Sequence, residues 1–189
     1  MTTITEKYSL SEYFKQEIES QTRHEYIDGK IVAMTGGTPN HNRIIGNLLV
    51  ALHTALRDQL YAVFVTDQRL WIPERRIATY PDIMIMPEPL SYQEGRKDTL
   101  INPILITEVL SSSTANYDRE DKFAAYRTIA TFQEYLLISQ ERCYIEQFQK
   151  EGDRWFFTAY ETEAFIHLKS LGIEVAIADI YNKIIFENR

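Results

Sequence analysis

The chain has 189 residues, 44% of them hydrophobic and 25% charged, which predicts one globular domain over residues 1–189. The formal net charge of −7 argues against a surface that is basic throughout, although a local groove can still bind nucleic acid. The single cysteine, Cys143, excludes an internal disulfide and a thiolate metal cluster. No run reaches the roughly 18 apolar residues of a membrane span and no secretory signal is visible, so we expect a cytoplasmic protein that does not enter the membrane.

The first half of the chain is predicted to form a short helix, a hairpin and a long helix. A capping-box pattern opens a helix over residues 9–19. The pair Asp28-Gly29 separates two apolar runs and predicts a tight hairpin over residues 24–34. A helix with one apolar face follows, which we expect Asn40 to cap and which ends near residue 60.

The second half predicts strands that alternate with helices. A helix over residues 118–130 is expected to be capped by Asn116 or a nearby hydroxyl. An antiparallel hairpin over residues 143–160 and a short helix over 177–181 follow. Buried strands are predicted over Tyr61–Ile72, Asp82–Met86, Ile104–Leu110 and Tyr135–Ile138. Together these elements predict an α+β domain of α/β/α-like arrangement, in which helices flank a central mixed sheet.

Two carboxylates lie inside apolar strands, where an acid is unexpected. Asp82 follows Pro81 at the start of one strand, and Glu108 lies within the next. A buried acid costs several kcal/mol unless it is paired or binds a cation. Two acids on neighbouring strands would repel each other, and a shared divalent ion removes that repulsion. The pattern therefore predicts metal-dependent hydrolysis, unless Asp82 only caps a turn at the strand edge and Glu108 faces the surface.

Several of these residues resemble a known family. The segments Pro81-Asp82 and Thr107–Ser111, with Asp118, Lys122 and Tyr126 downstream, resemble the Uma-type family of restriction-endonuclease-like proteins, which belongs to the PD-(D/E)xK nuclease superfamily. The resemblance extends to three further places in the chain: the hairpin segment Glu25–Gly29, His41 at the start of the long helix, and Glu134-Tyr135 before the next strand. It implies a restriction-endonuclease-like core with an N-terminal hairpin and a C-terminal antiparallel extension.

The resemblance also implies roles for particular residues. Asp82 and Glu108, with a backbone carbonyl near Val109, would bind Mg²⁺ or Mn²⁺ and so activate a water molecule. The superfamily places a lysine two residues after the strand acid, where this chain has Leu110. Lys122 would replace it and orient or deprotonate the water, or neutralise the phosphate. The alternative for Lys122 is a simple ion pair with Asp118 on a solvated helix face.

Three further residues are second-tier site candidates. Glu25 is either another acid at the metal site or an outward hairpin residue paired with Lys30 or Arg23. His41 at a helix start either contacts the phosphate or the water, or caps the helix. Tyr126 either donates a hydrogen bond to the phosphate or packs in the core.

The predicted function is a Mg²⁺-dependent endonuclease that acts on nucleic acid, on DNA in preference to RNA. The alternative is a nuclease-like scaffold that does not cleave and serves in binding or assembly, which Leu110 and the negative net charge favour. Hydrolysis of a small phosphoester stays open if the groove is narrow and acidic. Aromatic residues expected at the surface of the C-terminal hairpin predict a homodimer: Tyr144, Phe148, Trp155 and Phe157.

Overall fold

The computed structural model describes residues 7–112 and 114–186. The strands are β1 (His24–Ile27), β2 (Lys30–Ala33), β3 (Tyr61–Val65), β4 (Arg69–Ile72), β5 (Ile77–Thr79), β6 (Ile83–Pro87), β7 (Thr99–Leu100), β8 (Leu105–Leu110), β9 (Glu134–Ser139), β10 (Ile145–Glu151), β11 (Arg154–Tyr160), β12 (Phe165–Leu168) and β13 (Ile173–Ala176). The α-helices are α1 (Leu10–Glu19), α2 (Pro39–Ala55), α3 (Ala115–Tyr117), α4 (Phe123–Tyr126) and α5 (Ile177–Ile180). A π-helical turn (Asp118–Lys122) joins α3 to α4, and a short 3₁₀ turn spans Pro73–Arg75.

The largest sheet has six strands in the order β11-β10-β9-β8-β6-β3. β8 and β9 are parallel, whereas the other neighbouring pairs are antiparallel. Side chains alternate between its faces: Ile83 and Ile85 pack with α2 on one side, and Met84 and Met86 pack with α4 on the other. This mixed sheet between helices is the predicted α+β architecture.

A smaller sheet has the order β2-β1-β5-β4-β7 and includes the predicted N-terminal hairpin. α1 packs on it and begins at the capping box that the sequence predicts. The shared core consists of Tyr13, Phe14, Tyr26, Trp71 and Ala78. β5 leads directly into β6, so the two sheets meet just before Asp82.

The long helix differs from its prediction at both ends. Thr38, and not Asn40, caps α2, because the Thr38 side chain accepts a hydrogen bond from the His41 N–H at 3.1 Å. Pro39 takes the first helical position, where its fixed φ suits the helix and its missing N–H costs nothing. The helix then ends at Ala55, about one turn earlier than predicted.

The run over residues 61–72 forms two strands in different sheets, so the prediction of one strand is wrong. Thr66 lies between them in the left-handed region with φ 43°. Its N–H donates to the Asp82 carbonyl at 3.1 Å, and the chain turns there from β3 of the large sheet into β4 of the small one.

The predicted helix over residues 118–130 also has different limits. It begins earlier, at Ala115, passes through the π-helical turn and ends as α4 at Tyr126. The N-cap residue is Thr114, so the predicted cap at Asn116 is wrong; Thr114 is a nearby hydroxyl residue, the alternative that the sequence offered, but its side chain makes no cap hydrogen bond. Ser113 lies outside the described residues. Strands β5, β7, β12 and β13 have no counterpart in the sequence prediction.

The aromatic residues of the C-terminal hairpin are less exposed than expected. The Phe148 and Trp155 rings lie 4.5 and 5.1 Å from the Phe123 ring, so both pack on the core beneath α4. Phe157 is exposed, as expected, and so is its neighbour Phe156. Within the described chain, no helix has the length and apolar character needed to cross a membrane.

Candidate active site

Asp82 and Glu108 lie side by side because of the register of two antiparallel strands. Ile83 of β6 pairs with Thr107 of β8, so the next positions on the two strands are Asp82 and Glu108. The two carboxylates are linked through the backbone: the Val109 N–H donates to Asp82 Oδ2 at 2.7 Å, and the Asp82 N–H donates to Glu108 Oε2 at 3.3 Å. Glu108 is only 3% exposed, so the surface-facing alternative for it is wrong.

The buried Glu108 carboxylate accepts two further hydrogen bonds. Lys122 Nζ donates to Oε1 at 3.1 Å, and the Tyr126 hydroxyl donates to the same oxygen at 2.7 Å. The pKa of Glu108 is raised to about 8, chiefly by burial and also by the charges of Asp82 and Asp118, while Lys122 and the Tyr126 hydroxyl offset part of the rise. Tyr126 therefore packs in the core and also holds a site carboxylate.

Lys122 lies among three carboxylates. Its Nζ is 3.0 Å from Asp118 Oδ1, 3.1 Å from Glu108 Oε1 and 3.8 Å from Glu25 Oε1. The ion pair with Asp118 exists, but both side chains are buried, so the solvated-face alternative is wrong. Burial alone would lower the pKa of Lys122, but the neighbouring carboxylates raise it well above its usual value. Lys122 is therefore a fixed positive hydrogen-bond donor.

Asp118 is a member of the site that the sequence reasoning missed. It was named among the residues that carry the resemblance and, as the alternative for Lys122, was paired with that lysine on a solvated face, but it was assigned no role in the site. It is only 2% exposed: the Tyr135 hydroxyl of β9 donates to its carbonyl at 3.0 Å, and its carboxylate lies 3.0 Å from Lys122 Nζ. The sequence feature that could have indicated a site role is the four-residue spacing between Asp118 and Lys122, which places both side chains on one face of a helix.

Glu25 and His41 reach the same place from different elements. Glu25 on β1 is buried, and the Thr79 hydroxyl of β5 donates to it. Arg23 pairs instead with Asp67, which removes one of the outward partners considered for Glu25. His41 in the first turn of α2 places Nε2 3.2 Å from Asp82 Oδ2. The structure thus brings together all six side chains that the sequence proposed: Glu25, Asp82, His41, Glu108, Lys122 and Tyr126.

All of these residues except the fully buried Tyr126 line a cleft of about 1320 Å³ between the β1–β2 hairpin, the start of α2 and the ends of β6 and β8. In the described part of the chain, no three His, Cys, Asp or Glu side chains converge as a ready metal cluster. Asp82 and Glu108 are nevertheless adjacent hard oxygen donors, and each side chain accepts a hydrogen bond from a backbone N–H group. Two carboxylates fit Mg²⁺ or Mn²⁺, which retain several waters in proteins. Donation by the Val109 carbonyl stays a prediction.

The fold and the site describe a nuclease-like protein, with two strand acids and a nearby lysine on a mixed sheet. The chain matches the model of the Uma2 family, described as "Putative restriction endonuclease", over residues 10–178. It therefore belongs to the Uma2 family, which confirms the resemblance seen in the sequence.

The chain is also similar to two curated proteins and to one solved structure. The uncharacterized protein sll1609 of Synechocystis sp. is 41% identical over 155 residues, which cover 82% of this chain and 88% of that protein. The uncharacterized protein slr1290 of the same organism is 33% identical over 183 residues, with 95% and 94% covered. The crystal structure of a "putative nuclease belonging to DUF820" from Anabaena variabilis has a TM-score of 0.76 at 18% identity, with 94% of this chain and 99% of that one covered. That likeness confirms the fold.

Proposed function

We propose that the protein is a Mg²⁺- or Mn²⁺-dependent endonuclease that hydrolyses phosphodiester bonds in nucleic acid, in DNA rather than RNA, in the cytoplasm. The observation that carries the proposal is the convergence of Asp82, Glu108 and Lys122, because Lys122 Nζ lies 3.1 Å from Glu108 Oε1. The description of the family as restriction endonucleases supports DNA as the substrate.

Asp82 and Glu108 are the residues proposed to hold the divalent ion. When bound, the ion would supply Lewis-acid polarisation of water and of the phosphate. Asp82 is held for this purpose by the Val109 N–H and by His41, and Glu108 by the Tyr126 hydroxyl. These contacts fix the two carboxylates before the substrate arrives, so less order is lost on binding.

Lys122 is proposed to orient the attacking water and to donate to a phosphate oxygen. Its three carboxylate neighbours keep it in the ammonium form, so it is not proposed as the base that deprotonates the water. A positive donor fixed near a developing negative charge stabilises the transition state. Glu25 and Asp118 hold the ammonium in place.

A polymeric substrate suits the cleft better than a small phosphoester does. Small-molecule pockets are about 300–1,000 Å³, whereas this cleft is about 1320 Å³ and open to solvent at its rim. The acidic groove is consistent with a small phosphoester, but the size argues for a longer ligand.

The test compares cleavage of plasmid and oligonucleotide DNA with Mg²⁺, with Mn²⁺ and with EDTA. We expect the wild type to cut only with metal and Asp82→Asn and Glu108→Gln to lose at least about a hundredfold in rate. Asp153→Asn and Glu161→Gln are matched controls, because both residues are exposed and outside the cleft. Equal cleavage by Asp82→Asn and wild type would reject the site.

Calorimetry with Mn²⁺ separates the enzyme from the scaffold that does not cleave. The proposed enzyme binds Mn²⁺ saturably, and Asp82→Asn abolishes the binding. A folded wild type that neither binds Mn²⁺ nor cuts DNA or RNA would establish the scaffold alternative.

We also propose a homodimer, through β11. This strand forms one edge of the large sheet and exposes Phe156 and Phe157. An edge strand has unpaired backbone N–H and C=O groups that can pair with another strand. In a homodimer, β11 of a second copy would be that strand. Light scattering at micromolar concentration should give the dimer mass, and Phe157→Lys should give the monomer mass. A wild-type monomer would reject the proposal.

A further inference from the structure

One wall of the cleft is apolar, and the register of the β1–β2 hairpin explains why. Glu25 pairs with Val32 across the hairpin, so their side chains share one face of the sheet. Met34 lies two residues after Val32 and continues along the same face, whereas Tyr26 faces the core on the other. The face that presents Glu25 to Lys122 therefore presents Val32 and Met34 to the cleft.

These apolar side chains are unusually exposed for their type. Val32 is 44% exposed and Met34 37% exposed. The C-terminal segment brings a third, Ile185, to the rim at 76% exposure, and its carbonyl accepts a hydrogen bond from Asn40 Nδ2 at 2.9 Å. Exposed apolar side chains beside a polar site are typical of a surface that covers an apolar ligand group. We call Val32, Met34 and Ile185 the apolar wall.

The remainder of the cleft is acidic. Besides His41, its described lining carries five carboxylates and two lysine or arginine side chains: Glu25, Asp82, Glu108, Asp118 and Glu141 against Lys122 and Arg142. Duplex DNA carries one phosphate charge per about 1.7 Å of axis, and a single strand carries half that density. A lining with so few cations disfavours the second phosphate backbone of a duplex.

Bases in a duplex are also hidden from such a wall. A paired base is stacked inside the helix, whereas an unpaired base exposes its flat apolar face to protein side chains. Val32 and Met34 share the β1–β2 hairpin with Glu25 and line the same cleft as Asp82 and Glu108, so a strand with its phosphate at these two acids can place a neighbouring base against Val32 and Met34.

We propose that the cleft takes an unpaired nucleic-acid strand, with the scissile phosphate beside Asp82, Glu108 and Lys122 and an adjacent base against the apolar wall. This inference rests on the proposed nuclease function and adds the substrate class. Single-stranded ends, gaps and flaps share the chemistry that it requires.

The first experiment measures Mg²⁺-dependent cleavage of one labelled oligonucleotide as a single strand, as a blunt duplex and as a duplex with an unpaired flap. Single strand and flap should be cut at least about tenfold faster than the blunt duplex, because only they expose base faces. Equal or faster cutting of the blunt duplex would overturn the inference while leaving the nuclease proposal intact. No cutting of any substrate with either metal would instead overturn the nuclease proposal.

The second experiment tests the wall itself. Val32→Ala and Met34→Ala should each raise KM for the single strand by about threefold to tenfold and leave kcat nearly unchanged, because they touch the base and not the phosphate. Val50→Ala and Ile18→Ala are the matched controls, since both residues are exposed apolar side chains on helices away from the cleft. An unchanged KM in both wall variants would overturn the inference.

Discussion

Lys122 Nζ lies 3.1 Å from Glu108 Oε1, although the lysine comes from a helical turn and the acid from the middle of the sheet. Leu110 occupies the position two residues after Glu108 and is buried in the core beneath α4. The lysine therefore reaches the acid from a different element of the fold. The chemistry requires only that the ammonium group lies near the acid. The packing of α3 and α4 on β8 places it there.

Replacing Lys122 with Met should disable cleavage and weaken the fold. Cleavage should fall by about a hundredfold or more because the positive donor is lost. The free energy of unfolding should fall by about 3–5 kcal/mol, because buried carboxylates lose their counter-charge. Single-turnover rates and urea denaturation measure the two effects.

The matched control is Lys169→Met, which breaks an exposed pair with Glu151. An exposed ion pair contributes about 0–1 kcal/mol, so this variant should keep its stability and its activity. Wild-type cleavage by Lys122→Met would contradict the role given to the ammonium.

Tyr126→Phe should reduce activity without disturbing the packing of the ring. The change removes only the hydroxyl that donates to Glu108 Oε1 at 2.7 Å. Loss of a hydrogen bond to a charged group costs about 1.5–3 kcal/mol. Tyr160→Phe removes a hydroxyl that donates to Gln147 at the same distance, far from the cleft. Rate measurements should show a loss for Tyr126→Phe alone, and equal rates for the two variants would argue against a site role.

Divalent ions should stabilise the folded protein through Asp82. A ligand at a hundred times its Kd adds about 2.7 kcal/mol to the free energy of unfolding. Thermal denaturation of the wild type should therefore shift upward when Mg²⁺ replaces EDTA, and Asp153→Asn should shift equally. Asp82→Asn should not shift, and a shift equal to that of the wild type would place the metal elsewhere.

Stability should depend on pH through Glu134, which lies at the start of β9 away from the cleft. Burial raises the pKa of Glu134 above its ordinary 4.5, although hydrogen bonds from Ser170 and Gln147 offset part of that effect. The folded protein thus keeps the proton to a higher pH than the unfolded chain does. The contribution of Glu134 to stability is full below about pH 4.5 and is lost as the pH rises through the folded-state pKa.

The variant Glu134→Gln has an amide in place of the carboxyl group and does not ionise in this pH range. Urea denaturation from about pH 4.5 to about pH 7.5 should therefore show the wild type losing stability relative to the variant. The slope of the difference is the readout, because the substitution also changes the baseline through the Ser170 and Gln147 contacts. A difference that does not vary with pH would contradict the raised pKa.

The strand acids could be predicted because their signal is local. A carboxylate inside an apolar run, as at Glu108, is visible in a few residues of sequence, and so is the proline before Asp82. The cap of α2 was also visible, since Pro39 marks the first helical position, but Asn40 was preferred. For each of these features, the residues that indicate it lie within a few positions of the feature itself.

The remaining features depend on contacts between distant segments. Glu25 approaches Lys122 only because the small sheet packs beside the ends of β6 and β8. The burial of Asp118 depends on the π-helical turn, and no pattern in the sequence indicates that turn. The split between β3 and β4 likewise depends on the Thr66 contact with the Asp82 carbonyl. Such contacts join residues that are far apart in the chain, so hydrophobic periodicity does not reveal them.

Gly37→Ala should disturb the site from a loop residue that touches no substrate group. A Cβ at Gly37 would lie 2.6 Å from His41 Nδ1, so the imidazole would have to shift, which alters the contact of its Nε2 with Asp82. We expect the cleavage rate to fall by about tenfold, as for a lost positioning contact. Gly36→Ala is a matched control in the same loop, because a Cβ there meets nothing within 4 Å.

The double variant Gly37→Ala/His41→Asn separates this effect from general damage to the loop. If Gly37 acts only by leaving room for the imidazole, the double variant should be no slower than His41→Asn alone. Additive losses would show that the added methyl group acts elsewhere, and equal rates for Gly36→Ala and Gly37→Ala would remove His41 as the residue that positions Asp82.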